Sequence, residues 1–338
     1  MRFLAVSKLR LIIFYYKKNF QEDEMKKLLL ILCLTILAVS FVSAGGQQEA
    51  AVGEEVFTVG INNFGQANFF ARIGRESMID QIEKNGGKVI STVTADVSSR
   101  IAAIENMVTQ GVDAIIIEEG DINQVAPPLI EAKKKGIIIG SMDAGDADFV
   151  DVFVESDNNQ LGMASAEALM EAIGKKGKIV EIFNDAGAMI RVRKNAMHEV
   201  VAKNPGVSVE WGFVYAWPDY LPDVKSKMEA LIQAHPEPGE IAGVFATFDG
   251  AGLGAAQAIW EADLQDYIKI TGVDGDPEAY KEMRKPGSPF VATLAQDPET
   301  IARTVVDKVF ELLNGKTLAD RHIYIPGILI TQDNIPAE

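Results

Sequence analysis

The stretch Lys269-Ile270-Thr271-Gly272-Val273-Asp274-Gly275-Asp276-Pro277 carries the reading of the fold. A short apolar, β-branched run, long enough for a buried strand and too short for a helix, is stopped by Asp-Gly-Asp-Pro. The same punctuation recurs. Ile137–Ser141 runs into Met142-Asp143-Ala144-Gly145, Lys178–Phe183 into Asn184-Asp185-Ala186-Gly187, and Ile241–Ala246 into Thr247-Phe248-Asp249-Gly250. Further strands are predicted at Val56–Asn62, Lys88–Val93, Ala114–Glu118, Asp151–Glu155, Val207–Val214 and Val291–Ala295. Helical-period segments alternate with them near Phe70–Asn85, Ser98–Gln110, Val125–Lys135, Leu161–Ile173, Arg191–Lys203, Tyr220–Ala234, Leu253–Glu261 and Pro298–Leu313. Gly86-Gly87, Gly111 and Gly136 stand where helix C-caps belong. Strand and helix in repeated alternation mean βα units on parallel sheets, and the alternation restarts after Asn158, so two doubly wound α/β lobes are expected.

Ligands of open parallel sheets sit beyond the carboxyl ends of the strands. Those positions here are acidic: Asp143, Asp185, Asp249 and Asp274. Taken singly, each Asp can cap the next helix while its Gly makes the turn. Taken together, carboxylates around one cleft accept hydrogen bonds without donating them and call for a donor-rich guest such as a sugar or polyol. Aromatic residues gather at the same edge: Phe64, Phe69, Phe70, Trp217, Tyr220 and Phe248. Such rings either fill the core or stack on the C–H face of a sugar. Arg191 and Gln296 complete the polar set, with Arg193 as the competing arginine and a solvent-facing position as the other reading of Arg191.

The 338 residues carry 32 Lys and Arg against 48 Asp and Glu, a net charge of −16, and a single cysteine. One cysteine and three scattered histidines (His198, His235, His322) exclude a disulfide scaffold and a Cys-rich zinc site. The acidity argues against nucleic acid, whose binding rests on Lys and Arg. Residues 1–44 read as a leader. Met25-Lys26-Lys27, the apolar Leu28–Val39 and the small residues at Val42-x-Ala44 have the three parts of a secretory signal, with cleavage expected after Ala44. Residues 1–24 read as an upstream start codon chosen in error. The apolar run is short of the roughly 20 residues that span a bilayer, which makes an uncleaved anchor the weaker alternative. Gly45 follows where a lipoprotein would need Cys, and residues 45–55, rich in Gly, Gln and Glu, read as a flexible tail. A periplasmic, monomeric product that meets the membrane only through a partner follows from these features.

Val59-Gly60-Ile61 leading to Asn68-Phe69-Phe70, Met142-Asp143, Ser156-Asp157-Asn158, Arg191, Phe248-Asp249 with Leu253-Gly254-Ala255, Ile270 to Gly275, and Ala292 to Gln296 follow one another in an order that resembles the periplasmic sugar-binding proteins of the ribose-binding family. These serve ABC importers and share their fold with the effector lobes of LacI-type repressors. The resemblance covers about Val56 to Ile330. It implies a type I periplasmic binding protein, whose lobes (56–156 with 297–325, and 157–296 with 326–338) are joined by a three-segment hinge near Ser156–Asn158, Gln296–Asp297 and Tyr324–Gly327. It implies that Phe69 and Phe70 stack on the ligand, that Asp143, Arg191, Asp274 and Gln296 bond its hydroxyls, and that the region of Trp217 and Pro218 closes the other face. Asn68, Phe248 and Asp249 complete the candidate ligand-binding set. The implied partners are a small sugar or polyol and an ABC transporter permease; no cofactor or metal is implied. Three positions depart from the family's ribose binders: Ala144 stands for an Arg, Phe248 for an Asn, and Ala67-Asn68 for Asn-Pro. A more apolar pocket than a ribose site is therefore expected, suited to a deoxy sugar, a polyol or another small metabolite.

Two other readings remain open. A receptor that docks on a chemoreceptor or histidine kinase would use the same lobe closure as a transport protein. A nucleotide-cofactor enzyme has one hook, the G-x-G-x-x-A within Asp249-Gly250-Ala251-Gly252-Leu253-Gly254-Ala255, which falls late in the chain behind an aspartate that would repel pyrophosphate.

Overall fold

The computed structural model describes residues 56–65, 68–185 and 187–337; the leader, the tail at 45–55 and Ala67 lie outside them. Two six-stranded sheets form the frame. The first has the order β11-β5-β4-β3-β1-β2 and the second β12-β10-β9-β8-β6-β7. In the first lie β1 (Thr58–Phe64), β2 (Lys88–Thr94), β3 (Ala114–Glu118), β4 (Ile138–Met142), β5 (Val152–Ser156) and β11 (His322–Ile325). In the second lie β6 (Gly177–Phe183), β7 (Val207–Val214), β8 (Gly243–Ala246), β9 (Lys269–Asp274), β10 (Phe290–Ala295) and β12 (Ile328–Thr331). All pairings are parallel except β10 with β12. The order 2-1-3-4-5 in one sheet and 7-6-8-9-10 in the other is the same winding used twice. The chain leaves the first sheet after Ser156, returns to it after Ala295, and leaves again after Ile325.

Helices α1 (Phe69–Lys84), α2 (Val97–Gln110), α3 (Ala126–Lys134) and α9 (Pro298–Leu313) cover the first sheet. Helices α4 (Asn158–Ala172), α5 (Ala188–Ala202), α6 (Tyr220–Ala234), α7 (Asp249–Glu261) and the short α8 (Pro277–Met283) cover the second. Their ends follow local chemistry. Asn68, Asp96, Asp157 and Asp297 accept from backbone N–H groups at helix starts, and Gly111 ends α2 in the left-handed region at φ 72°.

At β1 a buried polar interaction accompanies the departure from the sequence reading. Strand β1 runs on to Phe64 rather than stopping at Asn62, because Asn62 donates to the hydroxyls of Thr92 (3.0 Å) and Thr94 (3.2 Å) and accepts from Arg100 (2.7 Å). Helix α7 starts at Asp249, so no turn separates it from Phe248. The short elements α8, β11 and β12 are additions to the strands and helices read from sequence. The glycines of the G-x-G-x-x-A stretch lie inside α7 as packing positions. A Cβ on Gly252 would meet the ring of Phe290 at 2.5 Å, and one on Gly254 the carbonyl of Leu221 at 2.8 Å.

Candidate functional site

The cleft between the sheets, roughly 600 Å³ with its open mouth, lies at the carboxyl ends of the strands. The first lobe contributes Phe64, Asn68, Glu119, Gly120 and Asp143; the second contributes Asn184, Arg193, Tyr215, Trp217, Phe248, Asp274 and Gln296, among others. Phe64 ends β1 and Glu119 follows β3, so both flank the point where the strand order of the first sheet reverses.

Arg193 is the centre of the arrangement. It is buried on α5, donates through Nε to Asn158 Oδ1 (2.7 Å) and through Nη1 to the Thr247 carbonyl (3.1 Å), and stands 3.8 Å from Asp143 and 3.5 Å from Asp274. One guanidinium thus faces a carboxylate from each lobe. Asn158, where the chain first crosses, donates to Asp143 (3.0 Å) and to Glu155 (3.0 Å), and His322 pairs with the other oxygen of Glu155 at 2.6 Å. Gln296 donates to Asp274 at 2.7 Å, while its own Oε1 is buried without a partner.

Three lining acids occupy strained backbone: Glu119 at φ 52°, Asp143 at φ 51° and Asp274 at φ 134°. Non-glycine residues hold such angles only where the surroundings impose them, and they concentrate at functional sites. Burial also raises their carboxyls. Glu119 is pushed up to about 7, first by burial and then by Asp143. Asp143 is raised by burial, and Asp274 is held well above the usual carboxylate range by burial, against the pull of Arg193. The aromatic wall is continuous. Trp217 stacks on Tyr220 (5.6 Å), Phe248 packs against both Tyr215 and Tyr220 (4.9 Å each), and Trp217 reaches across to Gly65, where a Cβ would lie 2.9 Å from its ring. The lobes also touch through the Ala188 N–H, which donates to the Gly120 carbonyl (2.9 Å), and through the ion pair of Arg191 with Asp121.

Of the residues singled out from sequence, Asn68, Asp143, Trp217, Phe248, Asp274 and Gln296 line this cleft. Phe70 does not; it is 2% exposed within the core of the first lobe, on the buried face of α1 with Met78 and Ile82. Phe69 lies outside the lining, with Arg72 over its ring at 6.0 Å. Arg191 spans the lobes to Asp121 instead of entering the cleft, since it sits off the buried face of α5 that Met189, Arg193, Met197 and Val200 define. Asp249 is wholly buried behind the cleft, accepting from the Thr293 hydroxyl (2.7 and 2.9 Å) and the Asp276 N–H (2.9 Å). Asp185 is exposed and faces Lys194. Of the four strand-end aspartates, then, two face the cleft. Glu119 is a lining residue outside the strand-end aspartates, although Glu118-Glu119-Gly120 after β3 has the same acid-then-glycine form. Helical phase would have selected Arg193, which is four residues from Met189 and from Met197.

A family model of the periplasmic binding protein domain matches residues 59–317. The ribose import binding protein RbsB of Bacillus subtilis is 28% identical over 86% of this chain and 90% of its own length. The galactofuranose-binding protein YtfQ of Escherichia coli is 30% identical over 73% of this chain and 80% of its own. Among solved structures, an ABC transporter solute-binding protein of Agrobacterium vitis with bound allitol superposes with a TM-score of 0.78 at 27% identity, covering 82% of this chain and 96% of that one.

Proposed function

This chain belongs to the periplasmic binding protein domain family, and from that premise we propose that it captures a small sugar or polyol between its lobes and presents the closed form to an ABC importer permease. One observation carries the reading: Asp143 and Asp274, from opposite lobes, converge on Arg193 in a cleft walled by Trp217, Tyr215 and Phe248. Hydroxyls donate to such carboxylates while the apolar face of a ring or chain lies on the aromatics. A ligand that bonds both lobes binds the closed arrangement more tightly than the open one and shifts the population toward it. The Arg191–Asp121 pair and the Ala188–Gly120 hydrogen bond are the protein's own contribution to that closed state. The relatives that bind ribose and galactofuranose, and the neighbour holding allitol, support a polyhydroxylated guest. On this reading the work of the site is binding, its acids being engaged with Asn68, Asn158, Gln296 and Arg193. Delivery to a permease, on the same reading, implies a periplasmic location.

The test is a thermal-shift screen of pentoses, hexoses, deoxy sugars and polyols, since a ligand stabilises the folded state in proportion to its occupancy. Calorimetry on the hit then follows Asp143→Ala and Asp274→Ala, each expected to weaken binding by about 1–3 kcal/mol. Failure of every solute to shift the transition, or two variants that bind as the parent does, overturns the proposal.

A further inference from the structure

Resting on that reading of the cleft, we propose that the natural ligand is a polyhydroxylated molecule that also carries a protonated amine, an amino sugar or amino polyol, with its ammonium beside Glu119. The first observation is the balance of donors and acceptors. Arg193 spends its Nε and Nη1 on Asn158 and Thr247, Asn68 donates to Glu119 (3.2 Å), Gln296 to Asp274 (2.7 Å), and Asn184 to the Tyr215 carbonyl (2.9 Å). The donors left over are Arg193 Nη2 and the Trp217 indole N–H, the latter buried without a partner; against them stand three carboxylates, each able to accept at about four positions, and the Gln296 Oε1, buried with no partner on a residue only 9% exposed. The cleft asks for donors.

The second observation is charge. Glu119, Asp143 and Asp274 line the cleft with a single guanidinium among them, and Arg193 lies beyond hydrogen-bonding distance of Asp143 at 3.8 Å. The next cation, Arg100, sits behind the wall and spends itself on the Glu118 and Glu119 carbonyls (2.6 and 2.9 Å) and on Asn62. Hydroxyls supply donors without charge, whereas an ammonium supplies three donors and the missing positive charge. The third observation is the wall of Phe64, Tyr215, Trp217 and Phe248, whose ring faces attract a desolvated cation as carboxylates do. Burial that pushes Glu119 up to about 7 marks the same imbalance: with a cation beside it the group is held ionised, and with a neutral guest it is left to repel Asp143 or take a proton.

Matched pairs that differ in one group decide the matter: glucosamine and glucose, galactosamine and galactose, mannosamine and mannose, glucamine and sorbitol, each titrated into the purified chain by calorimetry near pH 7. The expected result is that in the pairs that bind, the amine is at least about tenfold tighter, and that Glu119→Gln brings the two members within about threefold. A neutral member equal to or tighter than its amine in every pair that binds overturns the inference, as does a preference that survives Glu119→Gln. The comparison on the unaltered chain decides even if the variant does not fold. If the thermal-shift screen finds neutral solutes while no amine binds, this inference fails and the proposed function stands; if no solute of either kind binds, the proposed function fails with it.

Discussion

Replacing Arg193 with methionine tests the organisation of the cleft most directly. The substitution keeps an unbranched side chain of similar reach and removes only the guanidinium. It leaves Asn158 Oδ1 and the Thr247 carbonyl without their donor, and Asp143 and Asp274 without their counter-charge. Taking one partner from a buried ion pair costs about 3–5 kcal/mol. The cost depends on pH in a defined direction. Asp143 and Asp274 already have raised carboxyls in the folded protein, so the folded state binds more protons than the unfolded one and stability falls as pH rises. Arg193 opposes that rise in both. Without it the two carboxyls move higher still, so the variant's deficit is larger at high pH and shrinks as pH falls and the groups take up protons. Urea unfolding followed by circular dichroism measures this at about pH 8 and about pH 5. A loss under about 1 kcal/mol, or a deficit equal at both pH values, would refute the placement of Arg193 as the shared counter-ion.

Four further outcomes are expected. Asp249→Ala orphans the Thr293 hydroxyl and the Asp276 N–H and lowers stability by about 2–4 kcal/mol, yet weakens ligand binding less than Asp274→Ala; the reverse ranking would put Asp249 in the cleft. Trp217→Phe abolishes the ligand-induced change in intrinsic fluorescence, because Trp211 packs on His235 and Trp260 donates to Glu282, neither lining the cleft; a persisting signal contradicts this. Glu118 is buried with neither oxygen partnered, and burial holds its carboxyl well above the ordinary range, so Glu118→Gln equals or exceeds the parent in stability at about pH 8. By contrast Gly74→Ala, whose Cβ would lie 2.2 Å from Glu118 Oε1, destabilises by about 1–3 kcal/mol, both read from urea midpoints.

The two wound sheets are legible in the amino-acid order alone. Short β-branched runs and helical periods are local signals, and each strand-end acid-and-glycine turn marks where a parallel sheet presents its ligand edge, as Asp143 and Asp274 do. That order could not rank residues that share one turn, because which side chain enters a cleft depends on helical phase and on what the opposite lobe places there. Arg191 and Arg193 are two residues apart, yet one bridges the lobes at the surface and the other is the buried counter-ion. Asp249 looked like Asp274, but α7 begins at Asp249 itself and draws its carboxylate under Thr293. Phe70 entered the core because it shares a helix face with Met78 and Ile82. The convergence of Asp143 and Asp274 on one guanidinium joins residues from both lobes that are far apart in sequence, and only the packing of one lobe on the other creates it.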